Sequence, residues 1–384
     1  MKLNSLAKFS LLSISILLMS HLAISPVIPN LFRLYNAQNP NIGLASVESL
    51  ATIPAMMITV FVLLSNVIIK GIGKKNTVLL GLVIIFIFGL VPVFTTNFKI
   101  VFISRLLLGA GIGLFNSLSI SMISDFFDED TRGTMIGMRT AFLNIGKALT
   151  TFISGYLIVY GVQYTFLVYA LALPIFVLFL VFVPNPKNNE SKQISIKLHK
   201  ETIILTLLTL LVGISYMGAT IKIPTLLVEK YHLHPEVSRN LLTILAISGI
   251  FSGFLFGELV KKFKNLTLSI MLLFMTCGSF IFANFNNPIL FTIGAALIGV
   301  SFVGIMSFNF FYISKKLENK YINFATSVVL VGGNIGVILT PVVLTKLPEI
   351  FRLEKYVTPF YITTLLMLIC TIISYFTLKN DKKK

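Results

Sequence analysis

RLLLGAGIGLFNSLSISMISDFFDEDTRGTMIGMRTAFLNIGKALT, residues 105–150, is the stretch that decides the fold. It reads as an apolar helix, a short turn of mixed charge, and a second apolar helix. Arg105, Gly109, Gly111 and Gly113 lie on the first helix. Asp125, Asp128, Glu129, Asp130 and Arg132 make the turn, and Arg139 and Lys147 lie on the second helix. Hydrocarbon does not accept such charges without a reason. The rest of the chain repeats this kind of hairpin.

The chain has 384 residues, 56% of them hydrophobic and 12% charged, with a mean hydropathy of +0.92. Soluble domains run at about 25% charged residues, so this composition indicates a polytopic membrane protein. The longest polar stretch, roughly Pro184 to Glu201, is too short to be a soluble domain. A net charge of +17 in a soluble chain would suggest nucleic acid. Here topogenic Lys and Arg in cytoplasmic loops explain it, and no nucleic-acid partner is expected. Cys277 and Cys370 lie in separate apolar runs without metal-ligand spacing, so both read as buried structural thiols. The start of the chain has a basic residue and a long apolar run without a small-residue cleavage site, and reads as an uncleaved first helix.

A spanning helix needs about 20 mostly apolar residues. Such runs fall at 9–31, 46–69, 76–96, 99–124, 134–158, 164–183, 202–228, 236–260, 266–284, 288–313, 322–345 and 357–378. With both ends cytoplasmic, the inner segments hold about 20 Lys and Arg and the outer ones about 7, the positive-inside bias. Arg105, Arg139, Lys147 and Lys222 remain within spans. Every acidic residue is assigned to a loop or a helix end, Glu48 to the outer end of the second helix, so the membrane interior is expected to hold cations without a carboxylate.

Asn144, Ile145 and Gly146, with Leu149 and Thr150, recur as Asn334, Ile335 and Gly336, with Leu339 and Thr340. At the same offset of about 190 Gly109 falls on Gly299. The fold expected is therefore all-α, with twelve transmembrane helices in two pseudo-symmetric six-helix halves, residues 1–184 and 202–384, joined by a cytoplasmic linker, 185–201.

Twelve spans in two halves, a basic middle loop and cytoplasmic ends together resemble the major facilitator superfamily. The pattern of Arg105, Gly109 and Gly111 looks like that family's helix-4 motif, and DFFDEDTRGTMIG resembles its helix 4–5 turn. In the loop after the second helix Gly73, Lys74 and Lys75 fit the family pattern. Lys70 stands where an acidic residue is expected, so the family's latch between the halves is in question. Asp125 could pair with Lys70 or Lys74 instead. Helix 5 lacks the proline of the drug-antiporter pattern, which weakens a narrow assignment to that group.

Candidate residues for solute binding or coupling are Arg105, Lys147, His21, Arg139, Asn116, Asn144, Tyr216, Asn309 and Asn334. Lys147 sits near mid-membrane as a counter-charge for an anion or as a coupling group, or packs between helices. His21, among serines on the first helix, titrates near physiological pH. Arg139 and Lys222 are long enough to snorkel. The asparagines hydrogen-bond either a solute or a neighbouring helix. Gly73, Lys74, Lys75, Gly109, Gly111, Gly113, Asp125 and Arg132 form the conformational motif. GIGKK (71–75) lacks phosphate-loop spacing and GAGIG (109–113) lies inside a span, so neither is a nucleotide motif. No enzyme constellation, metal or cofactor is expected.

The resemblance implies a monomeric transporter of the cell membrane, working by alternating access and driven by protons. Export of a small organic solute is the leading expectation, and the surplus of buried cations favours an anionic one. Anion uptake, multidrug export and a non-transporting membrane sensor are the alternatives.

Overall fold

The computed structural model describes residues 4–186, 198–264 and 266–380; most of the expected linker lies outside the described residues. All regular elements among the described residues are helical. Among the described residues ten helices are long and apolar enough to cross a membrane, and two bent pairs, each counted as one span, bring the number to twelve. In the first unit the spans are Ser5–Leu17 with Ser20–Gln38 (span 1), Leu44–Ser65 (2), Val67–Phe94 (3), Phe98–Phe126 (4), Met135–Tyr160 (5) and Val162–Phe182 (6). In the second they are Lys200–Lys230 (7), Pro235–Gly253 with Phe256–Phe263 (8), Leu266–Asn284 (9), Pro288–Lys316 (10), Phe324–Ile350 (11) and Thr358–Phe376 (12). The chain divides into two compact units, Met1–Glu190 and Ser191–Lys384.

The duplication suspected from a few matching letters is written into the helix starts. Asn97 caps the helix beginning at Phe98, accepting from the amides of Lys99 and Ile100. Asn287 caps the helix beginning at Pro288, 190 positions on, by the same two bonds to Ile289 and Leu290. Each satisfies otherwise orphaned N–H groups. Asp128 and Glu318 hold the N-cap positions of the next helix in each unit. The repeated glycines are contact points. A Cβ on Gly109 would collide with the Pro54 backbone, and one on Gly299 with the Leu245 carbonyl. A Cβ on Gly146 would strike the Ile16 backbone, and one on Gly336 the Leu210 carbonyl. Spans 4 and 5 therefore lie on spans 2 and 1 as spans 10 and 11 lie on spans 8 and 7.

Span 1, expected as one continuous helix, is broken. An α-helix over Ser5–Ser13 gives way to 3-10 turns at Ile14–Leu17, Ser20–Leu22 and Ser25–Val27 before Ile28–Gln38, and the two parts bend by 43°. Pro26 and Pro29 each remove an N–H from the helical ladder. Ser10 and Ser13 bond back to carbonyls of their own turn, which also bends helices. At membrane depth such irregular backbone persists where protein or a polar cavity satisfies it.

Near the start of span 3, within the long helix Pro54–Phe94, the backbone leaves helical geometry at Gly73 (φ 80°, ψ 164°), a conformation that favours glycine. In the second unit Pro224 and Pro341 are followed by π-turns, Leu226–Lys230 and Val342–Lys346. The core of that unit joins spans 7, 8, 9, 10 and 12 through Phe282, Phe291, Phe308, Phe360 and their aliphatic neighbours, while Ala325 and Val329 of span 11 pack in a smaller cluster with Leu205 and Ile313.

Candidate functional site

The break in span 1 exposes two carbonyls sideways, and both are used. Arg105, fully buried on span 4, donates from one terminal nitrogen to the His21 carbonyl at 2.5 Å. Its other terminal nitrogen donates to the Tyr169 hydroxyl at 2.5 Å, and its Nε to the Leu50 carbonyl at 2.8 Å. The Tyr169 hydroxyl in turn donates to the Ser20 carbonyl at 2.9 Å. One planar guanidinium, with donors pointing in fixed directions, thus ties together spans 1, 2, 4 and 6.

Three further polar groups are buried around this clamp. Lys147, on span 5, is 1% exposed. His21 lies within electrostatic reach of both Arg105 and Lys147, and its Nδ1 has no hydrogen-bond partner among the described residues. Glu48 is 0% exposed, two residues before the Leu50 carbonyl that Arg105 holds. Its helix, Leu44–Thr52, packs on the Ser20–Leu22 turn and on span 4. Glu48 begins its span, as expected of a residue at a helix end, but neighbouring helices cover it, so a buried carboxylate accompanies these cations. Tyr169 and Glu48 were both missed from sequence. Glu48 carried a signal, a lone carboxylate in the apolar run LASVESLATIPA; Tyr169 carried none.

The remaining candidates are spread out. Arg139 donates from Nε to Ser119 Oγ at 3.0 Å, so it is held within the helix pair. Asn144 bonds the Thr140 carbonyl of its own helix. Asn116 is half-buried, and its carbonyl accepts from Ser119. In the second unit Asn309 is fully buried and donates to Thr209 Oγ1 at 2.9 Å. Tyr216 stacks on Phe302, with centroids 3.7 Å apart and planes within 9°. Asn334 is half-buried. Lys222, read as long enough to snorkel, is instead fully buried and donates to Thr345 Oγ1 at 2.6 Å, on the π-turn after Pro341. Cys370 is buried as expected, whereas Cys277 is exposed.

The conformational motif is compact. Lys74 pairs with Asp125 at 2.6 Å, with side chains 18% and 9% exposed. Of the two lysines considered for Asp125, the structure selects Lys74. Lys75 donates to the Leu180 carbonyl, so consecutive lysines fasten the loop to spans 4 and 6. Gly111 and Gly113 meet the backbones of Gly81 and Ile58, the close approach expected of small residues between membrane helices. The Arg132 side chain lies outside the described residues. Among the described residues no three metal-ligating side chains gather.

Known proteins place this arrangement. The family model of the Major Facilitator Superfamily matches residues 10–341 and, in a second alignment, 205–384. A probable sugar efflux transporter of Haemophilus influenzae is 26% identical over 274 residues, covering 65% of this chain and 64% of that protein. An uncharacterized transporter of Rickettsia felis is 25% identical over 229 residues, covering 55% and 56%. The chain therefore spans less than two thirds of the length of either relative. Among solved structures, a D-xylose-proton symporter superposes with a TM-score of 0.74 at 13% identity over 95% of both chains. A nucleoside transporter gives 0.76 at 14%, over 96% of this chain and 99% of its own. At such identities these likenesses speak for the fold, and with the family model across both units the chain belongs to the Major Facilitator Superfamily.

Proposed function

We propose that the chain is a secondary active transporter of the cytoplasmic membrane, with both termini cytoplasmic, that exports a small hydrophilic organic solute in exchange for protons. The observation that carries this reading is the buried ionic cluster of the first unit. A charged side chain at mid-membrane costs at least ~2.5–3.5 kcal/mol. Arg105, Lys147 and Glu48 are all buried within the helices of this unit beside His21, more ionisable groups than helix packing requires. Groups that can exchange protons in a water-poor setting are what proton coupling needs.

Two solute classes have specific support. An anionic solute is favoured by Lys147, a cation in the middle of span 5. Arg105 is committed to the clamp, with three of its donors serving protein acceptors. A neutral, hydroxyl-rich solute is favoured by the sugar efflux relative. The test is counterflow in proteoliposomes carrying a pH-sensitive dye, with xylose, gluconate and a cationic amphiphile as probes. Proton movement with gluconate alone supports the anion; movement with xylose supports the neutral solute. Movement with the amphiphile alone would replace both with a drug-export reading, and no proton movement with any solute that crosses would remove the proton link.

A further inference from the structure

Spans 1 and 5 are both odd-numbered in a chain that crosses serially, so they run parallel. The contact of Gly146 with Ile16 fixes their register. Advancing equally along both helices brings Thr151 level with His21, and Ser154 level with Ile24, the residue before Ser25. The turns Ser20–Leu22 and Ser25–Val27 do pack on the helix carrying Thr151 and Ser154. Along this seam Ser15, Ser20, Ser25 and Ser154 are 0% exposed, Thr151 is 2% and His21 8%. The hydroxyls of all five, and His21 Nδ1, have no hydrogen-bond partner among the described residues.

A buried polar group without a partner costs about 1–3 kcal/mol. Six along one seam, against a background in which the large majority of buried side-chain polar groups are satisfied, is a concentration that packing does not call for. Elsewhere in this unit hydroxyls such as Thr150, which donates to the Gly146 carbonyl, bond back to their own helix, with Ser121 Oγ an exception. A hydroxyl both donates and accepts, so a file of them can pass a proton. At the level of His21 the file meets the turn on which the Glu48 helix packs.

We propose that Glu48 is the proton-binding group of this protein, and that the hydroxyl seam between spans 1 and 5, with His21 as its last member, is the route by which protons reach it. The proposal rests on the proton-linked reading above for its purpose, but not for its test. A proton enters along the file, is accepted at His21 Nδ1, and leaves from the other ring nitrogen to the Glu48 carboxylate. That carboxylate becomes a carboxylic acid, and the reverse steps release the proton. Burial disfavours a carboxylate's charged form and nearby cations favour it, so a group held under both influences switches form with small rearrangements. The titratable and charged groups on the elements packed against the Glu48 helix are His21, Arg105, Tyr35, Arg33 and Lys99, the last two exposed, with Lys70, Lys74 and Lys75 farther along the helix Pro54–Phe94; Lys147 faces His21 from span 5.

The experiment needs no known solute. The reconstituted full-length chain is titrated by infrared spectroscopy, following the carbonyl stretch of protonated carboxylic acids. Wild type is expected to show a band that fades as pH rises and moves in heavy water. Glu48→Gln should lose it and Glu48→Asp should displace it. A titrating band left in place by both variants would overturn the assignment; if Glu48→Gln does not fold, the Glu48→Asp band decides. Thr151→Val with Ser154→Ala should slow proton uptake after a pH jump without changing the amount bound, and an unchanged rate would remove the route. Proton movement in the dye assay by wild type and equally by Glu48→Gln would overturn this inference alone. A titrating Glu48 in a chain that moves no protons would leave proton binding in place and defeat the transport reading.

Discussion

The guanidinium of Arg105 donates to the His21 carbonyl at 2.5 Å, joining span 4 to the break in span 1. The acceptor is a backbone atom freed by the change from α to 3-10 geometry. Break and arginine therefore depend on each other: without the break the carbonyl belongs to its own helix, and without the arginine it is left unpaired.

Removing the clamp should be severely destabilising. Arg105→Gln takes donors from three neutral acceptors at once, and each buried acceptor left unsatisfied costs about 1–3 kcal/mol. Arg105→Lys keeps the charge but cannot aim donors in three fixed directions, so it should rescue little. Tyr169→Phe should cost less, about 1–3 kcal/mol, because it leaves one donor of Arg105 and the Ser20 carbonyl without this partner. The chain has no Trp, so a thiol-reactive dye suits the thermal measurement. Cys370 is buried and reports unfolding, and Cys277→Ala removes the exposed thiol that would react beforehand. Equal melting temperatures for Tyr169→Phe and Arg105→Gln would contradict the shared geometry.

Much of this architecture could be read from residue order. Spans declare themselves because some 20 apolar residues in a row have few other uses, and the Asn-Ile-Gly pair marked a real duplication. What escaped depends on atoms that carry no side-chain signature. The partners of Arg105 include two backbone carbonyls, and no residue type announces a carbonyl. The serines and prolines of span 1 each tolerate a helix singly, so the break shows only in their combined effect. Glu48 was visible as a carboxylate but was assigned to a helix end, since sequence gives depth along a span and not what covers it. Lys70 and Lys74 stand four residues apart, and the turn at Gly73 separates them in a way spacing does not foretell.

The Lys74–Asp125 pair should behave as an exchangeable contact. Asp125→Lys places like charges together and should impair transport, as should Lys74→Asp. The double exchange restores opposite charges and should recover part of the activity. A partly exposed pair contributes at most about 1 kcal/mol to stability, so melting temperatures should move little while counterflow changes. The matching exchange at Lys70 should rescue nothing. Rescue through Lys70 and not Lys74 would contradict the observed pairing.

The bond between Lys222 and Thr345 links the helix carrying Pro224 to the π-turn after Pro341. Thr345→Val removes an acceptor from a buried ammonium and should destabilise by about 1–3 kcal/mol. Lys222→Met substitutes an apolar chain of similar length, and the two changes together should cost less than their sum, as for a buried pair replaced by apolar groups. A double-mutant cycle on melting temperature measures that coupling. Strict additivity would mean that the two side chains do not depend on each other. Loss of counterflow in Lys222→Met with stability intact would instead give this lysine a part in transport.

Gly146 and Gly336 offer the sharpest comparison between the two units, because equivalent glycines touch equivalent helices. Alanine at Gly146 puts a methyl group against the Ile16 backbone, and at Gly336 against the Leu210 carbonyl. Neither obstacle is the end of a flexible side chain, so whole helices must separate, and overpacking of this kind costs about 1–3 kcal/mol. If the units are equivalent in packing alone, both substitutions should lower the melting temperature alike. The first unit also carries the polar seam along the same helix pair, so Gly146→Ala shifts Thr151 against His21. It should therefore change the pH dependence of the infrared carboxyl band, while Gly336→Ala leaves that band unaltered. Identical titrations in both variants, with matched losses of stability, would show that the seam tolerates displacement and that proton uptake does not depend on its register.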